Sequence, residues 1–306
     1  MRTSRLPRRA VALAGAALLT TALAACSSSG TDHDMAGMNH GNAAPASPSA
    51  TGGHSMPGTD HGMPGAEGAG APADNRAGYR LTAADATLPA GQPADYRFSI
   101  TGPDGKPVTA FAVEQTKQMH FYAIRSDLTG FQHLHPAMAA DGTWTARLAA
   151  LTPGSWRTYA SFTPDSGDGK GTALILSRTV NVDGKAEPAA LPPASTTAQV
   201  DGYTVTLQGT PMANMAHPMT VTVAKDGKPV TDLQPYLDTY AHLTAFHEGD
   251  MAFAHLHPES EAKNGGRGGP DLAFHAEFPQ PGNWRLFLQF QTAGRLHTAA
   301  VTLKVG

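Results

Sequence analysis

From Tyr79 onward the chain alternates apolar and polar positions in short runs, as in Tyr96-Arg97-Phe98-Ser99-Ile100, and Gly, Pro and Asp separate the runs. A period of two sends successive side chains to opposite faces of a strand, and the separators are turn formers, so the pattern predicts an all-β fold. The same character holds from Tyr203 to Gly306, whereas residues 185–199 are rich in Ala and Pro and read as a linker. Upstream, Ser27 to Gly78 contains no Leu, Ile, Val, Phe, Tyr or Trp. Such a segment cannot bury enough apolar surface to offset the entropy of ordering it. Residues 26–78 are therefore expected to be a disordered tether with a span of roughly 40 Å.

Self-comparison shows that the two β segments are repeats. Asp104-Gly105-Lys106-Pro107-Val108-Thr109 returns as Asp226-Gly227-Lys228-Pro229-Val230-Thr231, and His120, His133 and His135-Pro136 return as His242, His255 and His257-Pro258. Pro153-Gly154-Ser155-Trp156-Arg157 returns as Pro281-Gly282-Asn283-Trp284-Arg285, with the loop Asn264 to Gly269 supplying the extra residues of the second unit. Each unit has about the length of an immunoglobulin-like sandwich, roughly 100 residues. The expected organisation is two tandem immunoglobulin-like β-sandwiches, 79–184 and 200–306, after the tether and a leader at 1–25.

The histidines carry the chemistry of the folded part. On a strand His133 and His135 share a face at about 7 Å spacing, as do His255 and His257. The preceding strand carries His120 or His242, and turn formers intervene. A two-residue hairpin centred on Glu248-Gly249 sets His242 opposite His255, and one centred on Gly249-Asp250 sets it opposite His257. Either register leaves three imidazoles on one face of each unit. Neutral imidazoles suit copper, zinc or nickel. The apolar neighbours Ile124, Phe131, Phe246 and Phe253 on that face leave a second reading open, in which the imidazoles belong to a core.

The N-terminus changes the picture of charge and compartment. Arg2, Arg5, Arg8 and Arg9 precede an apolar run from Val11 to Ala22, followed by Leu23-Ala24-Ala25-Cys26. The run is shorter than the roughly 20 apolar residues that a spanning helix needs, so it reads as an export signal. Cys26 is the chain's one cysteine. Leu23-Ala24-Ala25-Cys26 resembles a bacterial lipobox, which implies that Cys26 is acylated and the protein is anchored to the extracytoplasmic face of the cell membrane. Removing residues 1–25 takes away four Arg and no acid, leaving 18 basic against 25 acidic residues and a net charge of −7. An acidic chain without a basic patch is not a nucleic-acid binder.

The tether adds His33, Met35, Met38, His40, His54, Met56, His61 and Met63. Thioethers select soft Cu(I), and imidazole takes either copper state, so this segment reads as copper-capturing. The mature domains have no phosphate loop, no Gly-x-Ser-x-Gly elbow, no His-Glu-x-x-His helix and no Cys nucleophile. The expected function is therefore not enzymatic but copper sequestration, sensing or delivery, with a copper transporter or cuproenzyme as partner. A surface interaction module with structural histidines is the alternative, and a zinc-dependent hydrolase is a minor one.

The segment Lys117 to Pro136, with Gln118-Met119-His120-Phe121-Tyr122 at its start and Gln132-His133-Leu134-His135-Pro136 at its end, is followed by Asp141-Gly142-Thr143-Trp144. It resembles a group of secreted bacterial lipoproteins, common in actinobacteria and described as heavy-metal-associated. Pro235-Tyr236-Leu237, Ala241-His242-Leu243 and Ala254-His255-Leu256-His257-Pro258 resemble the partner module of the same group. The resemblance covers nearly all of 79–306 and implies export and a β-sandwich fold. The group's usual Gly before the second-module His is Ala241 here.

Overall fold

The computed structural model describes residues 70–262 and 265–306, with His257 described by its backbone alone. The leader 1–25 and Cys26 lie outside the described residues, as do the tail positions His33, Met35, Met38, His40, His54, Met56, His61 and Met63. The described residues form strands and turns and no helix.

The first repeat is a sandwich of two five-stranded sheets. One sheet is built on Tyr79–Ala83, Ala94–Thr101 and Thr143–Leu148; the other is built on Leu174–Val182, Gly154–Phe162, His120–Arg125 and Gln132–Leu134. Their inner faces bury Tyr96, Phe98, Ile100, Phe121, Trp144 and Leu176, with the Phe98 and Phe121 rings stacked at 4.9 Å. The outward positions of Ala94–Thr101 stay wet, giving the alternation that announces a half-buried strand. The second repeat has the same plan, but its strands form one nine-stranded sheet. Phe253–Pro258 turns the corner: it pairs Ala241–His247 through Phe253 to Leu256, then Asp271–Glu277 through His257 and Pro258. In the first repeat His135-Pro136 interrupts this corner. Gln132–Leu134 pairs His120–Arg125, and Ala137–Met138 pairs Thr143–Leu148. A strand that switches sheets at a bend is the usual way to close such a sandwich.

Ordered backbone extends beyond the boundaries that composition suggests. Asn75–Arg76 pairs Arg80 and Tyr79, and the Ala73 carbonyl accepts from Ser177 N at 2.7 Å. Residues 73–76, inside the span read as a tether, thus pair with the first domain, because backbone pairing needs no apolar side chain. Thr197–Val200 likewise pairs Tyr203–Gln208 and belongs to the second domain. The Ala-Pro linker is itself tied down. Ala189 N donates to Asp127 Oδ2 at 2.8 Å, and Leu191 packs into the interface described next.

The central strand of each repeat is buried on both faces. Phe121 and Ala123 point into the first core, while His120, Tyr122 and Ile124 point out of it. Leu243 and Ala245 point into the second core, while His242, Thr244 and Phe246 point out. These outward faces pack against each other within one compact unit. Tyr122, Ile124, Leu128 and Tyr159 meet Phe246, Phe253 and Phe287 in a third apolar cluster. Phe131 stacks on Phe287 at 4.2 Å, and Tyr159 Oη donates to the Met251 carbonyl at 2.6 Å. Phe253 lies against Tyr122, Tyr159 and Phe246 with centroids 5.2 to 5.4 Å away. Replacing Phe253 by Ala is expected to lower the unfolding free energy by about 3–5 kcal/mol, the range for emptying a buried aromatic site, as read by urea denaturation. A loss below about 1 kcal/mol would show that the interface is not a packed core.

Candidate metal centre

The pairing register decides which imidazoles meet. In the first repeat Phe121 opposes Leu134 and Tyr122 opposes His133, so one further step sets His120 across from His135. In the second, Leu243 opposes Leu256 and Thr244 opposes His255, so the same step sets His242 across from His257. This is the register of a turn centred on Gly249-Asp250. The connection, however, is the four-residue loop Glu248 to Met251, closed by His247 N donating to the Ala252 carbonyl at 2.9 Å. Ala241 is ordinary strand, so the Gly expected before His242 is not required there.

The expected first-repeat triad is brought together, and the sheet-on-sheet packing sets His242 and His255 of the second repeat beside it. Ligand nitrogens of His120, His133 and His135 all lie within 4.8 Å of one another. The His242 ring lies 4.7 Å from His133 and 5.6 Å from His120, and His255 lies 4.6 Å from His242. His120 and His242 are 3% and 0% exposed. His135 also lines an open pocket of about 440 Å³ with Lys117, Met138 and Val113, so the buried cluster has a side facing solvent.

Hydrogen bonds set the tautomers. His120 Nε2 lies 3.0 Å from the Glu114 carbonyl, which can only accept, so Nε2 carries the proton. His133 Nδ1 lies 2.7 Å from Gln289 Oε1, whose amide Nε2 donates to Thr298 Oγ1 at 3.5 Å. With the amide assigned in that orientation, Nδ1 carries the proton of His133. The remaining nitrogens, His120 Nδ1 and His133 Nε2, face each other at 3.1 Å. In that assignment both carry lone pairs, a donor pair that suits a shared cation; with the amide turned over, Gln289 Nε2 donates to His133 Nδ1 and His133 Nε2–H donates to His120 Nδ1. Burial pushes His133 well below the usual imidazole range, and the neighbouring His120 and His135 push it further. Burial does the same to His242, helped by His255 and His133, and brings His135 down to about 4. The site thus resists a proton and presents neutral donors. Two nitrogens on one tetrahedral ion, at bonds of 2.0–2.1 Å, would be about 3.3 Å apart, close to the separation seen. An outer N–H held by a backbone or amide oxygen is also the arrangement that orients imidazole toward a metal.

Sequence reasoning missed the groups that do this orienting. Glu114 acts through its carbonyl, presented by a tight turn in which Glu114 and Lys117 exchange backbone hydrogen bonds of 2.8 and 2.9 Å. Gln115 and Thr116 take positive φ there, and Leu237 and Asp238 do so in the matching turn of the second repeat. Gln289 was legible in principle, as a polar residue inside the apolar run Leu286-Phe287-Leu288-Gln289-Phe290, because a buried amide needs a partner. Other polar and sulfur residues stay outside the cluster. His297 bonds Asp201 Oδ2 and Thr292 Oγ1 at 2.7 and 3.0 Å, His275 lies 3.1 Å from a Glu259 oxygen, Met119 and Met219 are core residues, and Met212 and Met215 are about half exposed.

The model of a domain of unknown function, DUF8832, matches residues 73–183 and again residues 198–306. The chain belongs to the DUF8832 family. The two DUF8832 domains are the two sandwiches described above, and the imidazole cluster lies where they meet. No curated protein matches the sequence. Among solved structures, the chain is similar to the Escherichia coli adhesin FdeC, at 12% identity over 78% of this chain and 66% of that one, TM-score 0.24. It is also similar to a tetra-tandem repeat from the extending region of a large adhesion protein, at 12% identity over 74% and 48%, TM-score 0.24. Salmonella alpha-2-macroglobulin matches at 12% identity over 78% and 15%, TM-score 0.26. The DUF8832 chain spans less than two thirds of each of these solved chains, and such scores carry nothing about what it binds.

Depressed imidazole pKa values make the metal-free protein acid-labile. Between the ordinary value of 6.5 and about 4 for His135, the unfolded chain takes up protons that the folded cluster refuses. Stability is therefore full above pH 6.5 and falls as pH is lowered toward 4. Thermal melts in chelator across this window should show the loss, and a His133→Phe, His135→Phe double variant should flatten it. An unchanged slope in the variant would place the acid lability elsewhere.

Proposed function

We propose that this is an extracytoplasmic metal-binding protein, tethered to the membrane through acylated Cys26, and that its metal is copper, held for sequestration, sensing or delivery to a copper transporter or cuproenzyme. The observation that carries the reading is the convergence of ligand nitrogens of His120, His133 and His135 within 4.8 Å of one another, with the outer nitrogens of His120 and His133 held by the Glu114 carbonyl and the Gln289 amide. A thiolate-free imidazole set favours copper over zinc by the general affinity order of divalent ions. The His and Met residues of 33–63 would add a softer Cu(I)-capturing segment. A second reading has an observation of its own: the aromatic interface around the cluster would also suit a surface interaction module whose histidines are structural.

Titration of the full mature chain with Cu(II) and Cu(I) separates these. Replacing His133 and His135 by Ala should abolish Cu(II) binding by the folded part, whereas replacing the four tail His and four tail Met by Ser should leave it. Gln289→Ala, which removes the side-chain hydrogen bond to His133 Nδ1, should weaken Cu(II) binding roughly 10–100-fold. Binding that survives the double substitution and disappears with the tail ligands would make the domain histidines structural. A response to zinc alone, with ester hydrolysis, would favour the hydrolase reading.

A further inference from the structure

A three-histidine site confined to the first repeat would need nothing from the second. The structure shows otherwise at His242. Its ring is fully buried, its Nε2 lies 3.2 Å from Tyr122 Oη of the other domain, and its Nδ1 is buried with no hydrogen-bond partner. A buried ring nitrogen left without a partner costs on the order of 1–3 kcal/mol. With Nε2–H donating to Tyr122 Oη, that nitrogen is a lone pair, which makes it a metal donor. The alternative proton placement leaves a buried N–H with nothing to receive it.

Ring spacing points the same way. Two imidazoles on one tetrahedral ion have centroids about 5 Å apart, given metal–nitrogen bonds of 2.0–2.1 Å. Within the first-repeat triad the centroids are 5.4, 5.1 and 4.7 Å apart. From His242 they are 4.7 Å to His133 and 5.6 Å to His120, which sets the ring beside the triad. Among the described residues the triad's three ligand nitrogens alone lie within 4.8 Å of one another; His242 would close in on the ion as it binds. The second domain also orients the first domain's ligand. Gln289, which holds His133 Nδ1, is paired with His242 on the adjacent strand. One short patch of the second sheet therefore supplies both an orienting amide and a free donor nitrogen to the first-repeat triad.

Resting on the metal reading above, we propose that the site is shared between the repeats: His242 Nδ1 completes the shell begun by His120, His133 and His135, and the bound ion bolts the two sandwiches together. Around it Tyr122, Ile124, Phe246, Phe253 and Phe287 exclude water, which strengthens each metal–nitrogen interaction relative to an exposed site. The ligand class is a transition-metal ion that accepts four neutral imidazoles, with Cu(II) as the probe. Metal occupancy and domain docking are then linked: the ion binds the docked arrangement and stabilises it by mass action.

The test uses the full mature chain. Electron paramagnetic resonance of the Cu(II)-loaded protein should show four equivalent-class nitrogen donors, and hydrogen exchange at the backbone of Phe246, Phe253 and Phe287 should slow at least about tenfold on loading. His242→Ala should weaken Cu(II) affinity at least about tenfold and abolish the slowing. His242→Gln keeps a polar group against Tyr122 and gives the same readout if the Ala variant fails to fold. If wild type binds Cu(II) through the His133 site but three nitrogens are seen and His242 variants bind as tightly, the shared site is overturned while the metal reading stands. If wild type binds no Cu(II), both fall.

Discussion

Packing one sheet of each repeat against the other is the constraint from which the rest follows. A strand buried on both faces must fill two cores with a single sequence, and His120–Arg125 and Ala241–His247 do so by sending Phe121, Ala123, Leu243 and Ala245 one way and His120, Tyr122, His242 and Phe246 the other. At one end of the shared layer the fillers are aromatic and aliphatic, and the contact is ordinary core. At the other end they are imidazoles. Neutral imidazole is a tolerable core residue when each nitrogen has a partner. Here the outer nitrogens of His120 and His133 bond the Glu114 carbonyl and Gln289 Oε1, and the inner ones lie 3.1 Å apart.

The repeats have diverged in a way that serves this arrangement. The residue matching Gln289 is Ser161: in the two repeats they oppose His242 and His120 on the neighbouring strand. Only the longer amide reaches across to His133. The matching tight turns at Glu114–Lys117 and Tyr236–Thr239 both keep non-glycine residues at positive φ, a backbone cost of about 1–3 kcal/mol per residue that local structure alone does not repay. In the first repeat the turn delivers the Glu114 carbonyl to His120. A tandem duplication thus carries two copies of one histidine hairpin, with the supporting groups split unevenly between them.

Much of the fold was legible in the sequence. Period-two runs such as Tyr96 to Ile100 marked strands, the repeated Asp-Gly-Lys-Pro-Val-Thr and His-Leu-His-Pro segments marked two units, and the spacing of His120, His133 and His135 marked three imidazoles that the fold brings together. The apolar neighbours Ile124, Phe131, Phe246 and Phe253 also announced a core on the histidine face. What periodicity within a strand cannot carry is which partner covers that face. The placing of His242 and His255 beside the first-repeat triad depends on the docking of two domains, and no spacing along the chain encodes it. The same limit hid Gln289 and Tyr122, which act across the boundary, and the Glu114 carbonyl, which is backbone and leaves no mark on residue type. Pairing of Asn75–Arg76 was hidden for a related reason, since composition reports side-chain burial and not hydrogen bonding.

The central claim is that imidazoles from both repeats converge on a single ion between the two sandwiches. Anomalous diffraction from crystals of the copper-loaded protein tests it most directly. One strong copper peak should appear at the domain interface within about 2 Å of nitrogens from His120, His133, His135 and His242. Copper found only at first-repeat histidines, or only among the His and Met residues ahead of the domains, would contradict it.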